Sequence, residues 1–285
     1  QGDEASTRAT VATAAGGDRR IRYVQLPERG LSRARNAAFE VARGDVVAFL
    51  DDDCEADPGW LDAIAEGFER DRGLGLVGGA LVAPPRPRWA LTSCPWVAPA
   101  EALYDPAAHP RRPPRGWDWF GANVALRADI VTRIGRWDEC LGAGATFPAA
   151  EDTDYKLRLE AAGVRMLTTP RSVVFHSSGM RRGLSALRTS QRNYAVGNGA
   201  MAAKLTLLGD ARGALWLRDT RRDLCASLRR GRPQRAPVDL RRLWYFERTY
   251  RHCVAHYEVD SEGLLRLRHA TPPPTVSAGP TPGRS

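Results

Sequence analysis

A chain of 285 residues that is 43% hydrophobic and 26% charged has material for one sizeable core or two modest ones, and its charged fraction is ordinary for a folded protein. Its longest apolar run is about one buried strand long, far below the roughly 20 residues that span a bilayer, and no signal-peptide pattern is present, so the expectation is a cytoplasmic protein. The net charge of +9 is uneven, with 20 Lys+Arg against 8 Asp+Glu from Ser178 onward and 22 against 25 before it; such a balance suits nucleic acid, an anionic membrane surface or, most commonly, solvated helix faces.

The opening "QGDEASTRATVATAAGGD" has the look of a chain cut within a domain. "IRYVQL" (21 to 26) reads as a strand and "LSRARNAAFEVARG" as a helix begun by Ser32 and stopped by Gly44. "DVVAFL" is a continuous apolar strand of the kind buried on both faces. In "DPGWLDAIAEGFERD", Asp57 is placed to cap a helix with Pro58 at its first position, while Leu61, Ile64, Ala65 and Phe68 share one stripe. "LGLVGGALV" gives another strand. This alternation predicts an α/β fold with a mixed, mostly parallel sheet flanked by helices.

Residues 84 to 119 break the rhythm with nine of the 20 prolines and with Trp89, Trp96, Trp117 and Trp119, a long irregular insertion of the functional kind. Order resumes with "FGANVALR" as a strand, "ADIVTRIG" as a short helix and "EDTDYKLRLEAAG" as a helix closed by Gly163; "VRMLTT" and "SVVFHSS" are strands. From Gly183 the pattern turns helical. Leu184, Leu187, Tyr194, Met201, Leu205 and Leu208 keep a three-four spacing, interrupted by Gln191 and Asn198 and weakened by Gly197 and Gly199. Two basic helices near 211 to 230 and 239 to 257 follow, and the tail "ATPPPTVSAGPTPGRS" is expected to be disordered. The expected organisation is a domain over 1–180, a basic helical extension over 181–269 and the tail over 270–285.

The five cysteines, Cys54, Cys94, Cys140, Cys225 and Cys253, are scattered and suggest neither a disulfide framework nor a zinc site. The chemistry lies elsewhere. Asp51, Asp52 and Asp53 follow the buried strand 46 to 50, where open α/β sheets place ligands, and three adjacent carboxylates call for a cation. Oxygen donors suit Mg²⁺ or Mn²⁺, whose task would be to bridge the phosphates of a nucleotide; the competing explanation is a solvated acidic turn. Glu151, Asp152 and Asp154 open a helix a hundred residues later, where carboxylates are favoured by the helix dipole alone. A carboxylate of ordinary pKa can also take a proton from an attacking sugar hydroxyl.

Together, "GLSRARNAAFEVARGDVVAFLDDDCEADPGWL", "FGANVALRADIVTRIGRWDECLGAGATFPAAEDTDYKLRLEAAG" and "VVFHSSG" resemble the family 2 glycosyltransferases of the GT-A fold, in that family's order and spacing over roughly residues 20 to 180. The resemblance implies inverting transfer of a sugar from a nucleotide-diphosphate donor to a glycan, lipid-linked or small-molecule acceptor. It implies that Asp53 binds the metal with Asp51, that Asp51 and Asp52 lie on the donor side, and that Asp152 is the catalytic base. His176 falls where many such enzymes supply a further metal ligand, although a histidine ending a strand is about as often a structural hydrogen-bonder. Gly121 and Asn123 match a turn beside the donor sugar, and Arg33 and Arg35 lie near the expected nucleotide site. Trp137, Asp138 and Glu139, with Glu151, belong to the acceptor side; Trp119 either stacks on a sugar or fills the core.

The family's first strand-helix-strand unit, with its base-contacting aspartate, is not recognisable here, and Asp3 is no substitute for it. The basic helices buttress the sheet, close over the donor or rest on an anionic lipid surface. A catalytically silent nucleotide-sugar binding module is the alternative function. Nucleic acid is not an expected partner, since the arginine-rich part has no base-reading motif or stacking platform.

Overall fold

The computed structural model of the protein describes residues 4–83, 100–109, 113–115, 117–176, 183–225 and 236–268. Asp3, Trp89, Cys94, Trp96, much of the proline-rich insertion and the tail from residue 270 lie outside the described residues.

Two expectations change at the start, and a helix with no counterpart in the sequence reading precedes them. Glu4–Ala15 is a helix, α1, and residues 21 to 26 form no regular element. Ile21 and Val24 are about half exposed, and no strand among the described residues pairs with them. Helix α2, Leu31–Val41, is preceded by Gly30 rather than capped by Ser32, whose hydroxyl is buried and donates to the Leu141 carbonyl at 2.7 Å.

Strand β1 (Val46–Leu50) is followed by the short β2 (Cys54–Ala56) and then by α3 (Trp60–Arg70). Asp57 closes the turn into α3, accepting from Gly59 N through its carboxylate and from Trp60 N through its carbonyl, so Pro58 lies in that turn and the helix begins two residues later than expected. Next come β3 (Leu74–Val82), β4 (Ala102–Tyr104), β5 (Asn123–Arg127), α4 (Ile130–Ile134), α5 (Glu151–Ala161) and β6 (Arg165–His176). Two expected strands are thus one. Pro170, which has no N–H for the ladder, falls within a break of register between Gly79↔Thr169 and Ala80↔Val173, and the strand bulges there instead of ending.

The sheet runs β1, β5, β3, β6, β2, with β4 also pairing β6. The α/β class and the mixed sheet are as expected. The parallel part is narrower: β3 and β6 are parallel, while β1 with β5, β3 with β5, β2 with β6 and β4 with β6 are antiparallel. β1, expected to be buried on both faces, ends the strand order among the described residues, with Val47 alone buried and Leu50 exposed, so its apolar run reported neither its burial nor its direction.

Alternation along the strands feeds two cores. Leu76, Val124, Leu126 and Met166 face Trp137, Tyr155 and Leu159, whereas Val77, Ala125, Leu167 and Val174 face Trp60, Ile64 and Phe68 of α3. A third core joins Leu141 and Phe147 to Met201 and Leu205 of α6 (Gly183–Leu207) and to Cys253 of α8 (Ala236–His256). Helix α7 (Ala211–Leu224) packs beside them, and a hairpin of β7 (Tyr257–Val259) and β8 (Leu265–Leu267) follows α8. Burial in α6 follows position rather than a stripe: Gly199 to Leu205 are buried in succession, while Leu184, Tyr194 and Leu208 are exposed. No helix among the described residues is long and apolar enough to cross a membrane.

Candidate functional site

The candidate site forms where β1 and β6 end and β5 begins. In the antiparallel register Leu50 lies opposite Asn123, and Asp51 leaves the sheet beside it. Strand β2 then returns along β6, setting Cys54 opposite His176. This places the Asp53 Oδ1 atom 3.2 Å from His176 Nε2. Ligand atoms of Asp53, Cys54 and His176 all fall within 4.8 Å of one another. Asp51 is half-buried, and its carboxyl lies above the usual range: burial drives it up, Arg35 opposes this, and Asp152 and Asp53 add to it. Asp52 is exposed.

Asp152 approaches the same point from α5. The residue before the helix, Ala150, has φ 75° and ψ 9°, a left-handed conformation that costs a side-chain-bearing residue roughly 1–2 kcal/mol. Asp152 is held on both oxygens: Oδ1 accepts from Arg35 Nη1 at 2.8 Å and Oδ2 from the Gly121 backbone N–H at 3.0 Å. Gly121 must be glycine, because a Cβ there would lie 1.9 Å from Arg35 Nη2 and 2.6 Å from Asp152 Oδ1. Arg35 is buried, with its guanidinium 4.5 Å from the Trp137 ring centroid; Trp137 in turn stacks on Tyr155 at 4.1 Å. Glu151 lies 3.6 Å from Arg35 Nη1. Burial, followed by the Asp152 charge, pushes its carboxyl up to about 7 against the pull of Arg35.

Other expected site residues have different surroundings. Asn123 is buried, and its carboxamide donates to Ala80 O and Ser172 O at 2.9 Å while accepting from Trp60 Nε1 at 2.8 Å and Ser172 Oγ at 3.2 Å. It braces β5 against β3 and β6. Asp138 is also buried and spent, accepting from Lys204 Nζ, Leu265 N and Cys140 N. Glu139 takes the Asn36 carboxamide and the Arg33 guanidinium, each at 3.0 Å; burial acts to raise its pKa, but these donors hold it below the ordinary value. Arg33 therefore faces Glu139 and Glu28, while Arg35 faces Asp152.

Sequence reading missed Cys54 as a neighbour of Asp53 and His176, since only the β2–β6 register reveals it. Burial, followed by the Asp51 and Asp53 charges, pushes its thiol up to about 12. The donor set fits a divalent cation. Asp53 offers an oxygen and His176 its Nε2 close to one another, whereas Asp51 is not part of that group, and among the described residues His176 Nδ1 is buried without a partner.

On the other side of Asp152 lies a cleft of about 400 Å³ between α5 and α6. Trp119, Ala150, Glu151, Lys156, Asn193 and Asn198 line it. Trp119 is almost wholly buried, and its indole N–H has no partner among the described residues.

Known sugar-transferring enzymes are among the proteins this α/β chain is similar to. Residues 2–94 match the sequence model for glycosyl transferase family 2. It is similar to the glucosyl-dolichyl phosphate glucuronosyltransferase of Haloferax volcanii, with 27% identity over 154 residues, 52% of this chain and 48% of that protein. It is also similar to the succinoglycan biosynthesis protein ExoM of Rhizobium meliloti, with 29% identity over 162 residues, 54% and 47% of the two chains. The chain spans about half the length of these relatives. A solved structure, the mannosyltransferase PcManGT from Pyrobaculum calidifontis in complex with GDP-Man and Mn²⁺, overlaps 86% of this chain and 74% of its own, at 16% identity and a TM-score of 0.49.

Proposed function

We propose that the protein transfers a sugar, with inversion, from a nucleotide-diphosphate donor to an acceptor hydroxyl, and that Asp152 is the base. The observation carrying this reading is the convergence of Asp152 with Asp51, Asp53 and His176 at one sheet edge, each cluster from a distant part of the chain.

Asp53, Asp51 and His176 would hold a Mg²⁺ or Mn²⁺ ion, with Asp52 on the donor side. When bound, the metal supplies positive charge that stabilises the diphosphate as it departs. Asp152 takes the proton of the acceptor hydroxyl as that oxygen bonds to the anomeric carbon; the bond from that carbon to the diphosphate breaks, and a nucleoside diphosphate leaves. One displacement gives inversion. Arg35 and the Gly121 N–H fix the carboxylate, leaving lone pairs on both oxygens for the incoming proton.

The test is donor binding and sugar release across a panel of nucleotide sugars, with and without Mn²⁺. Asp53→Ala is expected to abolish the metal-dependent part of binding. Asp152→Asn is expected to keep binding and lower turnover by about 10²–10⁴-fold. Binding with no turnover in the unaltered chain would move the reading to a silent nucleotide-sugar module.

A second reading concerns α8 and α7, whose solvent side carries exposed Leu240, Trp244 and Leu215 among Arg241, Arg248, Arg218 and Arg222. An amphipathic basic surface of this kind supports peripheral contact with anionic lipid, near a lipid-linked acceptor. Salt-insensitive absence of binding to phosphatidylserine vesicles would remove it.

A further inference from the structure

The polar residues of α6 that face Asp152 carry an inference about the acceptor, resting on the transfer reaction proposed above. Ser190, Asn193, Tyr194 and Asn198 follow one another at helical spacing and line the cleft beside Glu151 and Asp152. Asn193 and Asn198 are half-buried, yet their carboxamides make no hydrogen bond among the described residues. An amide that is half withdrawn from water and unpaired in the protein offers both donors and an acceptor to a ligand. Trp119, a core residue that is almost wholly buried, borders the same cleft.

The charges in the cleft narrow the ligand. Among the described residues that line it, the cation is Lys156, and it is paired with Asp118. Glu151 and Asp152 supply the remaining charge, and Arg35 already faces both. Among the described lining residues no cation is left for a phosphate or carboxylate group. The volume of about 400 Å³ is within the range of small-molecule sites, roughly 300–1,000 Å³.

The position of α6 is fixed by contact. Gly197 sits on the chain just before α5, where a Cβ would lie 2.6 Å from the Ala149 side chain and 2.7 Å from its carbonyl. Asn193 and Asn198 flank this contact and are held against the turn that delivers Asp152.

We propose that this cleft seats a neutral, hydroxyl-rich acceptor ring and that Asn193 and Asn198 read its hydroxyls, making them specificity-determining residues of the transfer. The acceptor is thereby assigned as the terminal sugar of an uncharged glycan, free or carried on a lipid.

The experiment measures binding of a panel of methyl glycosides by saturation-transfer NMR and titration, beside nucleotide release from the donor with water as acceptor. Asn193→Ala and Asn198→Ala put a good helix former at half-buried positions, so thermal melts close to that of the unaltered protein are expected. Asn198→Ser is a second variant with the same reading. At least one neutral glycoside should bind and lose about 10-fold in affinity in the variants, with donor hydrolysis retained and with inorganic phosphate failing to compete. Equal glycoside affinity in all variants, no neutral glycoside bound, or displacement by phosphate each overturns the proposal. Loss of donor hydrolysis in the unaltered protein would count against the transfer reaction alone, because glycoside binding is read separately.

Discussion

At Asp152 the design depends on a neighbour with no side chain. Gly121 lets Arg35 and its own N–H reach the same carboxylate, and Gly121→Ala would drive a methyl group into both partners. The expected outcome is a loss of about 1–3 kcal/mol in urea unfolding, together with a fall in turnover larger than the fall in donor affinity. Unchanged turnover would show that the clamp does not set the base. Glu151 carries a pH dependence. Its folded pKa, about 7, is above its ordinary value of 4.5, so its contribution is fully present below about 4.5 and is lost as pH rises through about 7. Glu151→Gln should therefore flatten the stability profile across that window and make the variant the more stable protein at pH 8, by about 1–3 kcal/mol. Melting temperatures at pH 5 and pH 8 check this. Residue types announced the carboxylates but not their partners. Arg33 and Arg35 look equivalent in sequence, and only the helical turn decides that one meets Glu139 and the other Asp152.

At the scale of elements, α5 and α6 are joined by a buried charge cluster. Lys204, on α6, places Nζ 2.7 Å from Asp138 Oδ2 and 2.5 Å from Asp154 Oδ1; Asp154 also accepts from Arg158. All three of Lys204, Asp138 and Asp154 are almost wholly enclosed. Lys204→Met would leave two buried carboxylates short of a counter-charge, with an expected cost of about 3–5 kcal/mol by urea denaturation. A change below about 1 kcal/mol would mean the pair is balanced by its desolvation. The elements with strong local signals, α3, α5, β1, β3 and β5, were legible because apolar period and turn chemistry agree there. The 21 to 26 segment was not, since alternation describes a face and cannot supply a partner strand. The Asn198 and glycine interruptions of α6, which read as weaknesses, are the polar cleft face and the close crossings: a Cβ at Gly199 would lie 2.5 Å from the Phe246 carbonyl of α8.

For the whole molecule, the expected boundary at residue 180 passes through a shared core. Leu141 and Phe147 are buried against Met201 and Leu205, so residues 1–180 alone would expose them and strand Asp138 and Asp154 without Lys204. The shorter chain is expected to bind a hydrophobic dye and to lose a cooperative thermal transition, whereas an independent domain would melt sharply. Fold class and the family resemblance were legible over residues 20 to 180 because the motifs there are local. The role of the helices was not, because composition reports their charge and not what their buried sides touch.

The seating of Gly197 on Ala149 gives α6 a rotational phase. One residue added between Asn193 and Gly197 would turn the amino-terminal half of the helix by about 100° relative to the part pinned to α5. Ser190 and Asn193 would swing out of the cleft while Asn198 stayed, with no site residue altered. Drift in this helix is therefore constrained in length more tightly than in composition, and if the proposed reaction holds, substitutions at its cleft face would shift acceptor choice without touching Asp152.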